Sequence, residues 1–221
     1  MDQLKSYINH DFKDTELLRD ALTHSSTGHE KNYERLEFLG DRVLGLIVAE
    51  LLFEKFSDEA EGDLAKRLAA LVQGTFLADR ARDINLGSYI DFSEAERQAG
   101  GAENDNILAD VFEALLGALY LDGGFQKCHD LIERLWDDHF FEMEAPPQHP
   151  KTALQEWAQG LGLPLPSYEI SDQSGPDHAP VFEVTLCIQG HADIVAQGRS
   201  RQEAEKEAAA AFLQKVSDKH D

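Results

Sequence analysis

Carboxylates recur at helical spacing between residues 32 and 44, where the sequence reads N-Y-E-R-L-E-F-L-G-D-R-V-L. Glu34, Glu37 and Asp41 are three and four residues apart, so on a helix their side chains would share one face. Another face of the same helix would carry the apolar side chains Leu36, Leu39, Val43 and Ile47. By itself, an acidic helix face is more often solvated surface than a binding site.

A second segment, residues 106–121, favours a binding site over solvated surface. It is apolar on nearly every side, which predicts a buried helix, yet it contains Asp110 and Glu113. A buried ionised carboxylate is costly unless a base or a cation neutralises it, and this segment contains no basic residue. Gly40 and Gly117 lie beside the acids and lack a Cβ atom, so the two helices could approach each other closely there.

Close approach of the two helices would direct four carboxylates to one point. We call these four side chains the acidic cluster: Glu37, Asp41, Asp110 and Glu113. Carboxylate oxygens without His or Cys suit hard cations such as Mg²⁺ and Mn²⁺, and they suit zinc poorly. Because Mg²⁺ commonly supports phosphodiester hydrolysis, the sequence predicts a metal-dependent phosphodiesterase with Mg²⁺ as cofactor and Mn²⁺ as a substitute.

The composition does not favour a nucleic-acid partner. The formal net charge is −22, whereas nucleic-acid-binding proteins normally carry a basic surface. Residues 1–148 hold 14 basic and 31 acidic side chains, a net charge of −17, and residues 149–221 hold 6 and 11, a net charge of −5. Neither part of the chain is basic, so composition alone argues against RNA.

Other sequence features bear on the compartment and on rival chemistry. No segment approaches the roughly 18 consecutive apolar residues of a membrane span, and the chain begins M-D-Q-L rather than with a secretory signal. We therefore expect a cytoplasmic protein without a membrane partner.

Cys128 and Cys187 lie outside any C-x-x-C pattern, so we interpret both as packing residues. The segment T-H-S-S at residues 23–26 holds a Ser/His pair, but the absence of a G-x-S-x-G elbow disfavours a serine hydrolase.

The segment A-P-P-Q-H-P at residues 145–150 marks a domain boundary, because three prolines in six residues cannot continue a helix. The pattern before it predicts an all-α domain over residues 1–145, followed by a linker at 146–150. Residues 151–221 predict a small α+β domain of α-β-β-β-α order. Its predicted elements are a helix at 151–161, strands at 167–172, 180–189 and 191–198 with a hairpin turn at Gly190, and a helix at 201–216.

These motifs resemble those of a known family. The segment at 32–44 resembles the signature of ribonuclease III, and the segment at 107–117 resembles the second catalytic segment of that family. In the C-terminal part, P-K-T-A-L-Q-E-W and G-R-S-R-Q-E-A-E-K-E-A-A resemble the two ends of a double-stranded-RNA-binding domain. Since these motifs are more specific than net charge, we keep double-stranded RNA as the expected partner, attracted by local bases and bound Mg²⁺.

The resemblance implies a bacterial-type ribonuclease III. Such an enzyme is a homodimer that cuts double-stranded RNA to 5′-phosphate and 3′-hydroxyl ends with short 3′ overhangs, and it processes ribosomal RNA precursors and some messenger and transfer RNA precursors. The alternative is a non-catalytic double-stranded-RNA-binding protein or RNA chaperone on the same fold. Four intact acids argue against that alternative, because a binding protein has no need of them.

The resemblance also assigns roles to residues of the first domain. Asp41 and Glu113 are the expected catalytic residues among the metal ligands of the acidic cluster. Glu34 and Glu61 are candidates for outer-shell or RNA-proximal acids, although a solvated loop acid explains Glu61 equally well. Phe38 resembles the residue that the family inserts into its dimer partner, and the alternative is an intramolecular core position.

In the second domain the resemblance marks RNA-binding positions, which would read the shape of an A-form duplex. Thr152, Gln155 and Glu156 would reach 2′-hydroxyl groups, and His178 would lie in a loop that contacts the RNA. Phosphates would be held at the start of the last helix by Arg199, Arg201 and Lys206. The chain departs from the family pattern at Ala102, where an Arg is frequent, and at Gln202, where a Lys is usual, so we expect weakened and salt-sensitive binding.

Overall fold

The chain folds into two compact units. The computed structural model describes residues 2–142, 145–176 and 180–217, and the units are Met1–Pro147 and Gln148–Asp221. The division therefore falls within the proline-rich segment. Each unit has its own hydrophobic core.

The N-terminal unit is helical, as the sequence predicts. Its helices are α1 Asp2–Ile8, α2 Thr15–Ala21, α3 Glu34–Lys55, α4 Glu61–Leu71, α5 Gly74–Asp83, α6 Glu94–Gln98, α7 Asp105–Gly123 and α8 Phe125–Glu142. Short 3₁₀ turns lie at Ser25–Thr27, Leu86–Tyr89 and Gly101–Glu103. In the described part of the chain, no helix is both long and apolar enough to cross a membrane.

Helix α7 is the centre of this unit, because its sequence is apolar on nearly every side. Eleven of its residues are buried, and it packs against α2, α3, α5 and α8. The Asn104 side chain caps its N-terminus by accepting a hydrogen bond from the main-chain N–H of Asn106 at 3.0 Å. The helix ends before Gly124, whose φ of +82° is readily adopted only by glycine.

Helices α3 and α7 cross in main-chain contact, as the two glycines predict. A Cβ atom on Gly40 would overlap the main-chain carbonyl of Glu113 and lie 3.0 Å from the main-chain nitrogen of Gly117. On the other side of the crossing, a Cβ atom on Gly117 would overlap the main-chain carbonyl of Leu36. The two helices can therefore lie at this separation only if both positions are glycine.

The C-terminal unit has the predicted α-β-β-β-α order. Its elements are α9 Pro150–Gly160, β1 Ser167–Ser174, β2 Val181–Cys187, β3 Ile194–Gly198 and α10 Arg201–Ser217. The strands form one antiparallel sheet in the order β1-β2-β3, with Val184 opposite both Ile170 and Ala196. Apolar side chains from α9, the sheet and α10 form its core: Leu154, Leu186, Ile188, Ala208, Ala209 and Phe212.

The predicted strand ends differ from the observed ones around Gly190. We predicted strands at 180–189 and 191–198, but β2 ends at Cys187 and β3 begins at Ile194. The chain turns earlier because the main-chain N–H of His191 donates to the carbonyl of Ile188 at 3.0 Å. The His191 ring also packs on Phe212, with ring centroids 5.2 Å apart. Because of this turn and this contact with α10, β2 ends two residues earlier than predicted and β3 begins three residues later.

Replacing Gly40 with Ala tests the contact between α3 and α7. We expect a loss of about 3 kcal/mol in the free energy of unfolding of the N-terminal unit, because the added methyl group meets main-chain atoms that cannot rotate away. Chemical denaturation of the full chain measures this loss. Gly62→Ala is the control, because a Cβ atom there meets no heavy atom within 4 Å, and it should not destabilise the unit. A Gly40→Ala variant as stable as the wild type would contradict the close contact.

Candidate active site

The crossing of α3 and α7 places the acidic cluster on neighbouring faces of the two helices. Glu37 and Asp41 lie on α3, on either side of Gly40, while Asp110 and Glu113 lie on α7. Burial raises the pKa of Glu113 to about 8, and the negative charges of Asp41, Glu37 and Asp110 add to the increase. The four carboxylates are therefore near enough to repel one another.

The pKa values of Glu37 and Asp110 are raised as well. Burial raises the pKa of Glu37, with further increases from the charges of Asp110, Glu34 and Asp41. Burial also raises the pKa of Asp110, but His24 and a hydrogen bond from Tyr33 oppose this increase. The cluster as a whole therefore favours protonation or a bound cation over four free negative charges.

Asp41 is the most exposed of the four acids. Its Oδ2 lies 2.5 Å from Nη1 of Arg42, and the Arg42 guanidinium lies over the Phe38 ring, 4.3 Å from its centroid. About half of the Asp41 side chain is exposed. The Asp41 carboxylate therefore lies at the solvent-facing rim of the cluster and points to Arg42.

The donor chemistry of the cluster fits a hard divalent cation. Its side chains offer only carboxylate oxygens, which suit Mg²⁺ and Mn²⁺, and a cation would offset both the burial and the mutual repulsion that raise the pKa of Glu113. Among the described residues, no three His, Cys, Asp or Glu side chains already converge as a metal site. A metal would thus require at least Asp41 to turn away from Arg42.

The two outer acids differ in their position. Glu34 is the first residue of α3, beside Asn32, whose side-chain amide donates to it at 3.3 Å, and its charge contributes to the raised pKa of Glu37. Glu34 therefore borders the cluster. Glu61 is the exposed first residue of α4, and its charge is not among those that shift the pKa of Glu37, Asp110 or Glu113.

The two bases of α4 do not form an open phosphate-binding pair. Arg67 is buried, with only 1% of its side chain exposed. Its guanidinium lies over the Phe56 ring at 3.8 Å and donates to both carboxylate oxygens of Glu59, at 2.8 and 2.6 Å. Lys66 forms an ion pair with Asp63 at 2.9 Å.

Phe38 is not a core residue. Its side chain is 66% exposed, which excludes the intramolecular core position that we considered. It lines a groove that has both apolar and charged side chains; the other apolar ones are Leu17, Leu36, Leu39 and Leu121. An exposed aromatic side chain in such a groove is typical of an interaction surface.

The predicted RNA-binding residues of α9 lie on its exposed face. Thr152, Gln155 and Glu156 are all exposed. The first two line a groove that also contains Gln202 of α10, so the start of α10 lies close to α9. His178 lies outside the described residues.

The bases at the start of α10 are partly held by a residue that the sequence analysis missed. Glu205 is buried, yet it binds Lys151 of α9 at 2.5 Å and Arg201 at 2.7 Å. Burial alone would raise the pKa of Glu205, but hydrogen bonds from these two bases lower it. The spacing of Arg201 and Glu205, four residues apart on a helix, was the available signal for this pair. Arg199 and Lys206 are exposed.

The raised pKa of Glu113 predicts a pH-dependent stability in the absence of metal. A carboxyl group whose pKa rises from 4.5 to about 8 on folding stabilises the folded state fully below about pH 4.5, and this contribution is lost as the pH rises through 8. Glu113→Gln is permanently neutral, so in chelator its unfolding temperature should exceed that of the wild type increasingly between about pH 5 and 9.

Glu54→Gln is the matched control for this pH series. Glu54 is an exposed acid near the end of α3, so its replacement removes one charge from the same helix without relieving the cluster. The difference between this variant and the wild type should not change over the same pH range. A constant difference for Glu113→Gln as well would show that Glu113 ionises normally.

Comparisons with known proteins agree with this architecture. Residues 14–138 match the family described as ribonuclease-III-like, and residues 150–216 match the double-stranded RNA binding motif. Ribonuclease 3 of Ehrlichia ruminantium (strain Gardel) is 48% identical over 218 residues, which cover 97% of this chain and 96% of that protein. Ribonuclease 3 of Caulobacter vibrioides (strain NA1000 / CB15N) is 49% identical over 217 residues, which cover 96% and 94%.

A solved structure extends the likeness to three dimensions. The crystal structure of the nuclease domain of ribonuclease III from Campylobacter jejuni superimposes with a TM-score of 0.61 at 46% sequence identity. The match covers 63% of this chain and 95% of that one. With both domains matched in order and relatives aligned over nearly the whole length, the chain belongs to the ribonuclease III family, as an endoribonuclease that joins a nuclease domain to a double-stranded-RNA-binding domain.

Proposed function

We propose that this endoribonuclease is Mg²⁺-dependent and cuts double-stranded RNA to 5′-phosphate and 3′-hydroxyl ends. The observation that carries the proposal is the acidic cluster, in which burial, together with the charges of Asp41, Glu37 and Asp110, raises the pKa of Glu113 to about 8. Its expected substrates are precursors of ribosomal RNA and some precursors of messenger and transfer RNA, and its expected location is the cytoplasm. Mn²⁺ should substitute for Mg²⁺, because both accept carboxylate oxygens.

The residues that would hold the cation are the four acids of the cluster. When bound, a divalent cation polarises the phosphate and activates water for in-line attack on phosphorus. Asp41 lies at the exposed rim, where a duplex can reach it, and Glu113 is the more buried ligand. Because Glu113 holds its proton near neutral pH without metal, loading of the site should release a proton.

Replacing a cluster residue by its amide tests the catalytic assignment. Glu113→Gln and Asp41→Asn keep the side-chain size but remove a negative charge. Each should reduce cleavage of long duplex RNA by more than about 100-fold, since even outer partners of metal ligands are commonly worth 10–100-fold. Gel assays with and without Mg²⁺ measure the cleavage.

The control and the binding measurement separate catalysis from binding. Glu54→Gln removes one charge from the same helix and should cleave normally, while all three variants should bind duplex RNA nearly as well as the wild type. Normal turnover by Glu113→Gln would rule out the metal assignment. A wild type that binds duplex RNA but never cuts it would point to the RNA-chaperone alternative.

We also propose that the chain acts as a homodimer in which each protomer cuts one strand, which leaves a short 3′ overhang. Phe38 supports this proposal, because it is exposed in a groove that also contains the leucine side chains of α2, α3 and α7. Two copies could therefore each insert Phe38 into the groove of the other, in an isologous contact. A solved nuclease domain of ribonuclease III from Campylobacter jejuni has a structurally flexible region that is involved in dimer formation. Dimer formation by that relative agrees with the assembly proposed for this chain.

Phe38→Asp tests the dimer. It replaces a large apolar side chain with a charge at the expected centre of the contact, so the variant should sediment as a monomer at concentrations at which the wild type is a dimer. Leu161→Asp is the matched control, because Leu161 is similarly exposed, at 61%, but lies in the C-terminal unit. Its sedimentation should be unchanged. A dimeric Phe38→Asp variant would place the interface elsewhere.

A further inference from the structure

A buried carboxylate lies in the C-terminal unit, on the face of α10 that packs into the core. Glu205 is only 6% exposed, and it lies beside the fully buried residues Ala204 and Ala208. A buried ionised carboxylate is costly, and an apolar side chain of the same length would fill the space without that cost. Packing alone therefore does not account for the charge of Glu205.

Glu205 holds one base with each of its two oxygens. Its Oε2 lies 2.5 Å from Nζ of Lys151, the second residue of α9. Its Oε1 lies 2.7 Å from Nε of Arg201, the first residue of α10. The Lys151 ammonium group also lies over the Tyr168 ring, 5.0 Å from its centroid. One carboxylate thus brings together two bases from the starts of two helices.

Both bases keep hydrogen-bond donors for a further acceptor. A Lys ammonium carries three N–H donors and an Arg guanidinium carries five. In the described part of the chain, the side chains of Lys151 and Arg201 donate hydrogen bonds only to Glu205, and the Arg201 side chain is 58% exposed. Because Arg201 donates through Nε, its two terminal amino groups remain available for a bidentate contact with a phosphate.

The two bases lie beside the predicted RNA-binding residues of α9. The groove that Lys151 lines also contains three polar side chains: Thr152, Gln155 and Gln202. Lys151 and Arg201 lie in the first turns of α9 and α10, where the helix dipoles add to the attraction for an anion. This part of the surface therefore suits the phosphate backbone of an RNA duplex.

We propose that Glu205 is a positioning residue for duplex RNA: it holds Lys151 and Arg201 together, so that both can contact the phosphate backbone when a duplex lies on α9. The proposal rests on the proposed function, because it requires double-stranded RNA as the substrate. Glu205 itself would repel phosphate, so it acts only through the two bases. Since both side chains are held before binding, less conformational entropy is lost when the duplex binds.

Glu205→Gln is the direct test, because positioning and net charge predict opposite results. The variant keeps the side-chain size and removes one negative charge, so electrostatic attraction alone would tighten RNA binding. Loss of positioning should instead weaken binding by roughly 10-fold, the factor that corresponds to ordering one long basic side chain. Fluorescence anisotropy of the full chain with a labelled duplex of about 16 base pairs, in chelator to prevent cleavage, measures the affinity.

Glu207→Gln is the matched control. Glu207 is an exposed acid of the same helix, so its replacement changes the net charge equally without releasing either base, and this variant should bind RNA at least as tightly as the wild type. In cleavage assays, Glu205→Gln should raise KM and leave kcat unchanged, because Glu205 and the acidic cluster lie in different units. A purely structural role would lower the unfolding temperature but leave KM unchanged well below that temperature.

Arg201→Gln tests the proposal independently of the stability of Glu205→Gln. The Arg201 side chain is exposed and Glu205 keeps its bond to Lys151, so the domain should remain folded. The slope of log affinity against log salt concentration should fall by about 1, since one phosphate contact is lost. In the double variant, the replacement of Glu205 should cost less affinity than it does in the wild type, because only Lys151 is left to be positioned.

The outcomes distinguish this inference from the proposed function. A Glu205→Gln variant that binds duplex RNA as tightly as Glu207→Gln would overturn the positioning role while leaving the nuclease intact. An unchanged affinity and salt dependence for Arg201→Gln would also overturn it, because the held guanidinium would then make no contact with RNA. A wild-type chain that binds no duplex RNA would overturn both proposals.

Discussion

The N-terminal unit depends on one contact, the approach of α3 to α7 at Gly40 and Gly117. A side chain at either position would overlap main-chain atoms of the opposite helix, so the separation of the helices is set by the absence of two Cβ atoms. That separation brings carboxylates from both helices within mutual repulsion. The close contact thus determines both the packing of the central helix and the mutual repulsion of the carboxylates.

The same balance between repulsion and compensation recurs in the C-terminal unit. The chain carries a net charge of −22, and Glu205 adds a buried negative charge beside the predicted RNA-binding face. Lys151 and Arg201, from two different helices, neutralise it. Glu205 therefore fixes the side chains of Lys151 and Arg201 relative to each other. These two side chains would consequently lose less conformational entropy on binding a duplex. The local placement of basic side chains, rather than the net charge of the chain, would therefore determine RNA binding.

Much of the architecture was predictable because its signals are local. The apolar periodicity of residues 106–121 predicted the buried α7, the paired glycines predicted the helix crossing, and the prolines at 145–150 predicted a boundary. The strand ends around Gly190 were predicted wrongly because a residue outside the strands intervenes. β2 ends early because His191 packs on Phe212 of α10.

The sequence by itself determined the fold class, the order of the two units and the identity of the four acids, because spacing along a helix or strand decides which side chains share a face. Only the tertiary structure decided that Arg67 is buried against Phe56 and Glu59, and that Glu205 joins two helices. It also decided that the His24 ring stacks on Tyr33. These contacts join residues far apart in the chain or on separate elements, and no local pattern specifies which of many possible neighbours packing will select.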